Sequence, residues 1–227
     1  MDLDVISQTA LFRGCSPSEV EQMLGCLEYT IRAYQKDEII YSRGKVITEI
    51  GIILSGSAQI ESDDIWGNRS VLNVIGPGGI FAEAYACVPN EPLMVNVAAN
   101  DNCEVLFLNM ARIFGADENI CPFYTKFISN LIVVCAKKNL ELSRRIFHTS
   151  SKTIRGRLMS YFSQQVSLQK SDRITIPFDR QQLADYLGVD RSALSKELGK
   201  MKKDGLLNYH KNQFEIKAGL CPFGPQH

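Results

Sequence analysis

The chain has 227 residues, enough for about two domains at the usual ~100–200 residues each, and 45% of them are hydrophobic, so ordinary buried cores can form. The acidic start Met1-Asp2-Leu3-Asp4 is unlike a signal peptide. The longest apolar run, Leu131–Ala136, is far short of the ~18–20 residues that span a bilayer, so a cytoplasmic protein with no membrane partner is expected.

The zero net charge hides a split. Residues 1–143 carry 10 Lys+Arg against 18 Asp+Glu, a net of −8, and residues 144–227 carry 15 against 7, a net of +8. A basic C-terminal third on an acidic body points to a polyanionic partner. Seven cysteines at irregular spacing, with no C-x-x-C pair, argue against a disulfide framework and read as small buried hydrophobes.

In chain order, Ser16-Pro17-Ser18-Glu19 is a helix start, with an N-cap, proline in the first turn and a capping box. Val20, Met23, Leu24 and Leu27 give that helix its apolar face. From Tyr29 to about Leu108 short strands alternate with turns. The strands are Ile31–Tyr34, Ile39–Tyr41, Ile50–Leu54, Ala58–Glu61, Ser70–Ile75, Val95–Ala98 and Cys103–Leu108. Breaks at Arg43-Gly44, Ser55-Gly56, Trp66-Gly67-Asn68 and Gly76-Pro77-Gly78-Gly79 suggest a small jelly roll.

Phe123–Phe147 reads as one long helix, apolar on more than one side. Such a helix needs its own barrel on one side and a second surface on another, most simply the same helix of a second subunit. Phe127, Leu131, Val134, Cys135 and Lys138 are the expected interface of a two-fold homodimer. His148-Thr149-Ser150-Ser151 is a polar break and the expected hinge. An amphipathic helix, Thr153–Ser167, and a short strand, Ile174–Ile176, follow.

Asp179 to Lys203 reads as two helices joined by a tight turn. Asp179 and Gln182 form a capping box, Gly188 makes the turn and Asp190 caps the second helix. Leu183, Ala184, Leu187, Leu194, Leu198 and Met201 point inward. Arg191, Ser192, Ser195, Lys196 and Lys200 point outward, all able to bond bases or phosphates. Leu206–Tyr209 and Gln213–Ile216 around His210-Lys211-Asn212 add a β-hairpin, completing a winged helix-turn-helix.

The order of helix, roll, long helix, hinge and winged helix resembles the cyclic-AMP receptor / fumarate-nitrate-reductase regulator (Crp/Fnr) superfamily of bacterial transcription regulators. The matching residues are Leu11-Phe12, Tyr41-Ser42-Arg43-Gly44, Ile53-Leu54-Ser55-Gly56-Ser57, Ile75-Gly76-Pro77-Gly78 and Phe81-Ala82-Glu83 in the roll. Leu183–Val189 and Arg191–Lys196 match in the two helices. The resemblance implies an α+β fold: a cyclic-nucleotide-binding-like β-roll sensor over 1–119, a dimerisation helix over 120–147, a winged helix-turn-helix over 148–219 and a disordered tail over 220–227.

It also implies an allosteric regulator whose paired recognition helices enter successive major grooves of a pseudo-palindromic operator, with half-sites ~34–36 Å apart. RNA polymerase is a candidate partner. Arg191 and Lys196 are expected on guanine O6/N7, and Ser192 and Ser195 as adaptable contacts. Arg180, Lys202, Lys211 and the helix starts are expected on phosphates. Many relatives carry glutamate where this chain has Ser192, so the usual operator is not assumed.

Cyclic-nucleotide binders of this family hold the cyclic phosphate with a Gly-Glu turn and an Arg-Ser pair. Here Ala82 replaces the glycine, and the pair falls on Leu93-Met94. No lysine or arginine lies between Arg69 and Arg112, and a buried phosphate without a cation is heavily penalised. Cyclic AMP is therefore not the expected effector. The clustered N-terminal thiolates of an iron–sulfur cluster are missing, and the first histidine is His148, so neither cluster, haem nor metal is expected.

What remains is a pocket lined by Glu83, Tyr85, Cys87, Leu93, Met94 and Val97, suited to a small neutral, cationic or aromatic ligand. A roll filled by its own side chains is the alternative, and redox sensing through Cys87, Cys103 or Cys121 is a third. Two other function classes compete with a regulator. One is a metal-dependent barrel enzyme with an accessory winged helix, and the other is a winged-helix protein-interaction module.

Overall fold

The structure is a computed structural model that describes residues 3–63, 69–114 and 124–217. The expected Trp66-Gly67-Asn68 turn, the expected boundary at residue 119, Cys121 and the tail 220–227 lie outside the described residues. The chain forms two compact units that divide between Lys137 and Lys138.

The first unit opens with α1 (Leu3–Ser7) and α2 (Pro17–Leu27). The expected capping box starts α2: the Ser16 hydroxyl accepts from the Glu19 amide, and the Glu19 carboxylate accepts from the Ser16 amide at 2.6 Å. Eight strands and two short helices follow: β1 (Tyr29–Tyr34), β2 (Ile39–Tyr41), β3 (Glu49–Ser55), β4 (Ala58–Asp63), β5 (Arg69–Ile75), β6 (Ile80–Phe81), α3 (Glu83–Cys87), β7 (Asn96–Ala99), β8 (Cys103–Asn109) and α4 (Met110–Phe114). They pair antiparallel in two four-stranded sheets, ordered β1-β8-β3-β6 and β2-β7-β4-β5, the expected roll.

β8 shows why the roll has two cores. Its side chains alternate, and both sets are buried. Leu106 and Leu108 join Ile50 and Ile52 of β3 beneath α1 and α2, while Val105 and Phe107 face the roll interior with Ile53, Phe81, Leu93 and Val97. Gly51 is required by close approach, because a Cβ there would lie 2.1 Å from the tip of the Phe81 ring.

Helix α5 (Tyr124–Thr149) runs two residues beyond the expected end. His148, assigned to a polar hinge, is fully buried: its Nε2 lies 2.7 Å from Gln164 Oε1 and its Nδ1 3.1 Å from Ser160 Oγ. The helix stops where hydroxyls take over its last carbonyls, Thr149 donating to Arg145 at 2.8 Å and Ser150 to Phe147 at 2.8 Å.

The expected dimer face is corrected at three of its five residues. Phe127, Leu131 and Val134 are buried in their own unit's core, and Phe127 packs 5.8 Å from Phe12. Cys135 is half-buried against the same core, and Lys138 is half-buried. The large apolar residues that α5 leaves exposed are Ile132, Val133, Leu140, Leu142, Ile146 and Phe147.

The second unit holds the end of α5 and α6 (Ile154–Gln169), β9 (Arg173–Thr175), α7 (Arg180–Leu187), α8 (Arg191–Lys203), β10 (Leu207–His210) and β11 (Gln213–Ile216). The Thr153 hydroxyl caps α6 by accepting from the Gly156 amide at 3.1 Å. Leu158, Tyr161 and Phe162 of α6 meet Leu183 and Leu187 of α7, Leu194 and Leu198 of α8, and Phe214 of the wing in one core. The three strands form one antiparallel sheet, β10-β11-β9.

Candidate nucleic-acid interface and effector region

The helix pair is built as its residues dictate. Asp179 Oδ1 accepts from the Gln182 amide at 2.8 Å, and Gln182 Oε1 accepts from the Asp179 amide at 2.9 Å, closing the capping box of α7. Gly188 ends α7 at φ +63°, a conformation costly for any residue with a Cβ. Asp190 then caps α8, its Oδ1 accepting from the Ala193 amide at 2.8 Å. The six apolar residues expected inside are all buried.

That packing leaves Arg191, Ser192, Ser195, Lys196 and Lys200 exposed on α8. An open groove of about 660 Å³ lies beside its start, lined by Pro177, Phe178, the first residues of α7, Arg191, Lys211 and Asn212. It gathers three of the expected contacts, Arg180, Arg191 and Lys211, from three different elements. The other five, Ser192, Ser195, Lys196, Lys200 and Lys202, do not line it.

Arg180 is half-buried, its guanidinium stacked 4.8 Å from the Tyr209 ring centre and 5.1 Å from that of Phe214. This desolvation lowers its pKa from the usual arginine value. Lys202 Nζ lies 5.5 Å from the Tyr209 ring, and Lys200 Nζ lies 3.9 Å from Glu197.

The two serines are held in a way the sequence did not announce. Ser192 Oγ donates to Asp190 Oδ1 at 2.5 Å, and Ser195 Oγ donates to the Arg191 carbonyl at 2.9 Å. The Ser192 hydroxyl, with the Ala193 amide next, holds the Asp190 carboxyl below its ordinary pKa.

Sequence reasoning missed the groups that hold this surface in place. Arg157 bonds the Leu187 carbonyl at 2.8 Å and that of Gly188 at 3.1 Å, clamping the C-terminal end of α7, where unpaired carbonyls concentrate negative charge. Arg145 of α5 bonds the carbonyls of Asp185 at 2.8 Å and Tyr186 at 3.1 Å. Arg155 ties α6 to Glu197 at 2.6 Å and to Asp204 at 2.8 Å. Asn212 was also missed, and its amide donates to the Ile176 carbonyl at 3.0 Å, fixing the wing tip to the strand before α7. No local spacing signals any of these bonds.

The six expected effector residues do not gather into one pocket. Leu93 and Val97 are buried in the roll interior with Tyr85 packed against them, whereas Cys87 packs against the other core, beneath the N-terminal helices. Met94 is 69% exposed. Glu83 is buried at the start of α3, directly after Ala82, which sits at φ +65°.

Inside the roll Tyr41, Phe81 and Phe107 contact one another edge to face at 5.6–6.4 Å, and the Tyr41 hydroxyl donates to the Glu49 carbonyl at 3.1 Å. Burial, with Cys135 and Glu83 nearby, pushes the Cys87 thiol up to about 11, and burial also raises that of Cys103. Neither is poised as a thiolate. Among the described residues no group of three or more His, Cys, Asp or Glu could hold a metal ion, and no helix is long and apolar enough to cross a membrane.

A two-sheet roll and a winged helix-turn-helix with an exposed cationic recognition face define a DNA-binding transcription regulator with a sensor-type domain. Residues 31–116 match the cyclic nucleotide-binding domain family, and residues 156–218 match the Crp-like helix-turn-helix domain. The chain belongs to the Crp/Fnr superfamily of transcription regulators.

The cAMP-activated global transcriptional regulator CRP of Haemophilus influenzae is 20% identical over 187 residues, 79% of this chain and 80% of that protein. The structure of the c-di-GMP-responsive global regulator CLP of Xanthomonas campestris is similar at 17% identity and a TM-score of 0.58, over 89% of this chain and 100% of that one. That of a CooA variant from Carboxydothermus hydrogenoformans is similar at 16% identity and a TM-score of 0.58, over 96% and 92%.

Proposed function

We propose that the protein works in the cytoplasm as a homodimer that reads a pseudo-palindromic operator with two copies of α8 and carries no catalytic step, metal or cofactor of its own. The observation that carries the reading is the exposed face of Arg191, Ser192, Ser195 and Lys196, flanked by the Arg180–Arg191–Lys211 groove. The first four offer groups to base edges, and Arg180 and Lys211 of the groove offer cations to the phosphates beside them. Two-fold pairing is supported by Val133, Leu140 and Phe147, which recur every seven residues along α5 and are all exposed. RNA polymerase is the downstream partner this reading implies.

The relatives' names mention cyclic nucleotides, and the roll argues against carrying that over. Leu93 is built into the apolar interior, and no lysine or arginine occurs from residue 70 to residue 111 to meet a phosphate. An effector, where one acts, is a small ligand without phosphate.

Binding to duplex DNA across a salt series tests the reading. Affinity should fall steeply as salt rises, because neutralised phosphates release counterions, and Arg191→Ala should relax base preference by about 1–3 kcal/mol at one position of each half-site. Loss of affinity equal on every sequence would refute the role given to Arg191. Salt-independent binding would favour a protein-interaction role for the winged helix.

A further inference from the structure

Serine is ordinarily the least informative residue on a recognition helix, since its hydroxyl can donate to one base and accept from another. We infer that Ser192 and Ser195 act as hydrogen-bond acceptors only, so that each specifies a base carrying an exocyclic amine in the major groove, cytosine or adenine, on the strand it faces. This rests on the reading of α8 as the base-reading helix.

The inference follows from where the hydroxyl hydrogens go. Ser192 Oγ lies 2.5 Å from Asp190 Oδ1, and Ser195 Oγ lies 2.9 Å from the Arg191 carbonyl oxygen. Neither partner has a hydrogen to give, so in both contacts the serine must be the donor. Each hydroxyl has one hydrogen, which is used. What each presents outward is lone pairs.

Both serines are exposed, so those lone pairs face solvent in the free protein. Asp190 is itself held in place, because the same Oδ1 also accepts from the Ala193 amide at 2.8 Å as the N-cap of α8. The hydrogen of Ser192 is thus tied to a carboxylate fixed by the fold of the helix.

Arg191 and Lys196 flank the serines and can only donate. The face therefore offers donor, acceptor, acceptor, donor along the helix. Donors suit guanine N7 and O6, and acceptors suit cytosine N4 or adenine N6. Thymine O4 or guanine O6 set opposite a serine would place lone pair against lone pair.

The test uses the full chain and a randomised duplex library, followed by binding to duplexes in which one base is replaced. At the position whose preference Ser192→Ala abolishes, the wild type should select cytosine or adenine. Replacing that base by its analogue without the amine, pyrimidin-2-one or purine, should weaken wild-type binding about three- to tenfold and leave Ser192→Ala unaffected. Asp190→Gly frees the Ser192 hydrogen at a helix-capping cost of only a few tenths of a kcal/mol. It should let guanine and thymine in at that position while the Ser195 position keeps its preference. Ser195→Ala gives an independent reading at its own position.

Selection of guanine or thymine by the wild type, indifference to loss of the amine, or an unchanged preference in Asp190→Gly would overturn the proposal. If Arg191→Ala alters the selected sequence and neither serine variant does, the recognition helix stands and the acceptor role falls. If none of the three alters it, α8 is not the base-reading helix.

Discussion

The two faces of α5 make opposite predictions, and a pair of substitutions separates them. Phe127 is 1% exposed, and its ring lies 5.8 Å from that of Phe12 at an angle of 57°. Truncation to alanine removes about 1.5–3 kcal/mol of burial and an aromatic pair worth about 0.5–1.5 kcal/mol, and it leaves a cavity. The total should be about 3–5 kcal/mol, read as a lower denaturant midpoint for the roll unit. Leu140 is 55% exposed, so Leu140→Asp should change the stability of a single chain by no more than about 0.5 kcal/mol. In a two-fold dimer that change occurs twice. Each copy loses a leucine worth about 1.5 kcal/mol or more, so the dimer should dissociate at least about a hundredfold more readily. Sedimentation equilibrium over a concentration series reads the second quantity, and urea unfolding of each variant reads the first. A Phe127→Ala protein that keeps its unfolding midpoint but loses its dimer would restore the interface expected from sequence and refute the face assigned to Leu140.

Three further outcomes follow from the same geometry. Arg157→Ala should cost the winged-helix unit about 2–3 kcal/mol, since it removes two charged hydrogen bonds from the α7 terminus; Arg157→Lys should not restore the wild type, because Nε holds the Ser151 carbonyl while Nη1 holds those of Leu187 and Gly188, and lysine has a single nitrogen for both, and thermal melts of both variants check this. The folded pKa of Asp190 lies below its ordinary value of 3.8, so its capping contribution is present above that value and is lost as pH falls through the depressed one. Asp190→Asn should therefore be less stable than wild type near pH 7, the difference shrinking in urea titrations as pH falls below 3.8 and through the depressed pKa, and a constant difference would contradict the shift. Ala82→Gly should stabilise the roll by about 1 kcal/mol by relieving a left-handed alanine yet produce no thermal shift with cyclic AMP; a large shift would show that a cation is dispensable there.

Much of the fold was legible because its signals are local. A capping box needs only residues three apart, and both expected boxes, Ser16 with Glu19 and Asp179 with Gln182, close as hydrogen bonds. The Gly188 turn and the inward residues of α7 and α8 were legible for the same reason. Strand alternation worked where one face is polar, and the glycine turns located the rest.

The failures share a cause. In α5 both stripes are apolar, and periodicity cannot say which meets the roll, so Phe127, Leu131 and Val134 went to the wrong partner. His148 looked polar in sequence, yet Ser160 and Gln164, one helix later, make its burial affordable in hydrogen-bonding terms. β6 and α3 are too short for any periodic signal, and the bonds of Arg157 and Arg145 to α7 join residues 30 to 41 positions apart. For the effector region, counting from a family motif put Leu93 and Met94 side by side in a pocket. Neither lies in a strand: Leu93 turns into the roll interior, whereas Met94 sits in the bend before β7, leaving one 2% and the other 69% exposed.

Helix α5 carries different work along its length, and this bears on how a sensor could reach the DNA-reading surface. In the first unit Phe127, Leu131 and Val134 are core residues, so the early turns cannot shift without repacking the roll. In the second unit the last turns are fixed to the winged helix by two kinds of contact. Arg145 holds the carbonyls of Asp185 and Tyr186, and His148 is locked between Ser160 and Gln164. The end of α7 that Arg145 grips is two residues from Gly188, and the turn there sets the direction in which α8 leaves. A displacement of the terminal turns of α5 is therefore transmitted to the recognition helix through short, charged hydrogen bonds rather than through a slack linker. The linker proper, Ser150 to Thr153, is itself pinned, because Arg157 donates to the Ser151 carbonyl at 2.9 Å while also holding Leu187. The segment that sequence assigned to a hinge is thus held by hydrogen bonds within its own unit.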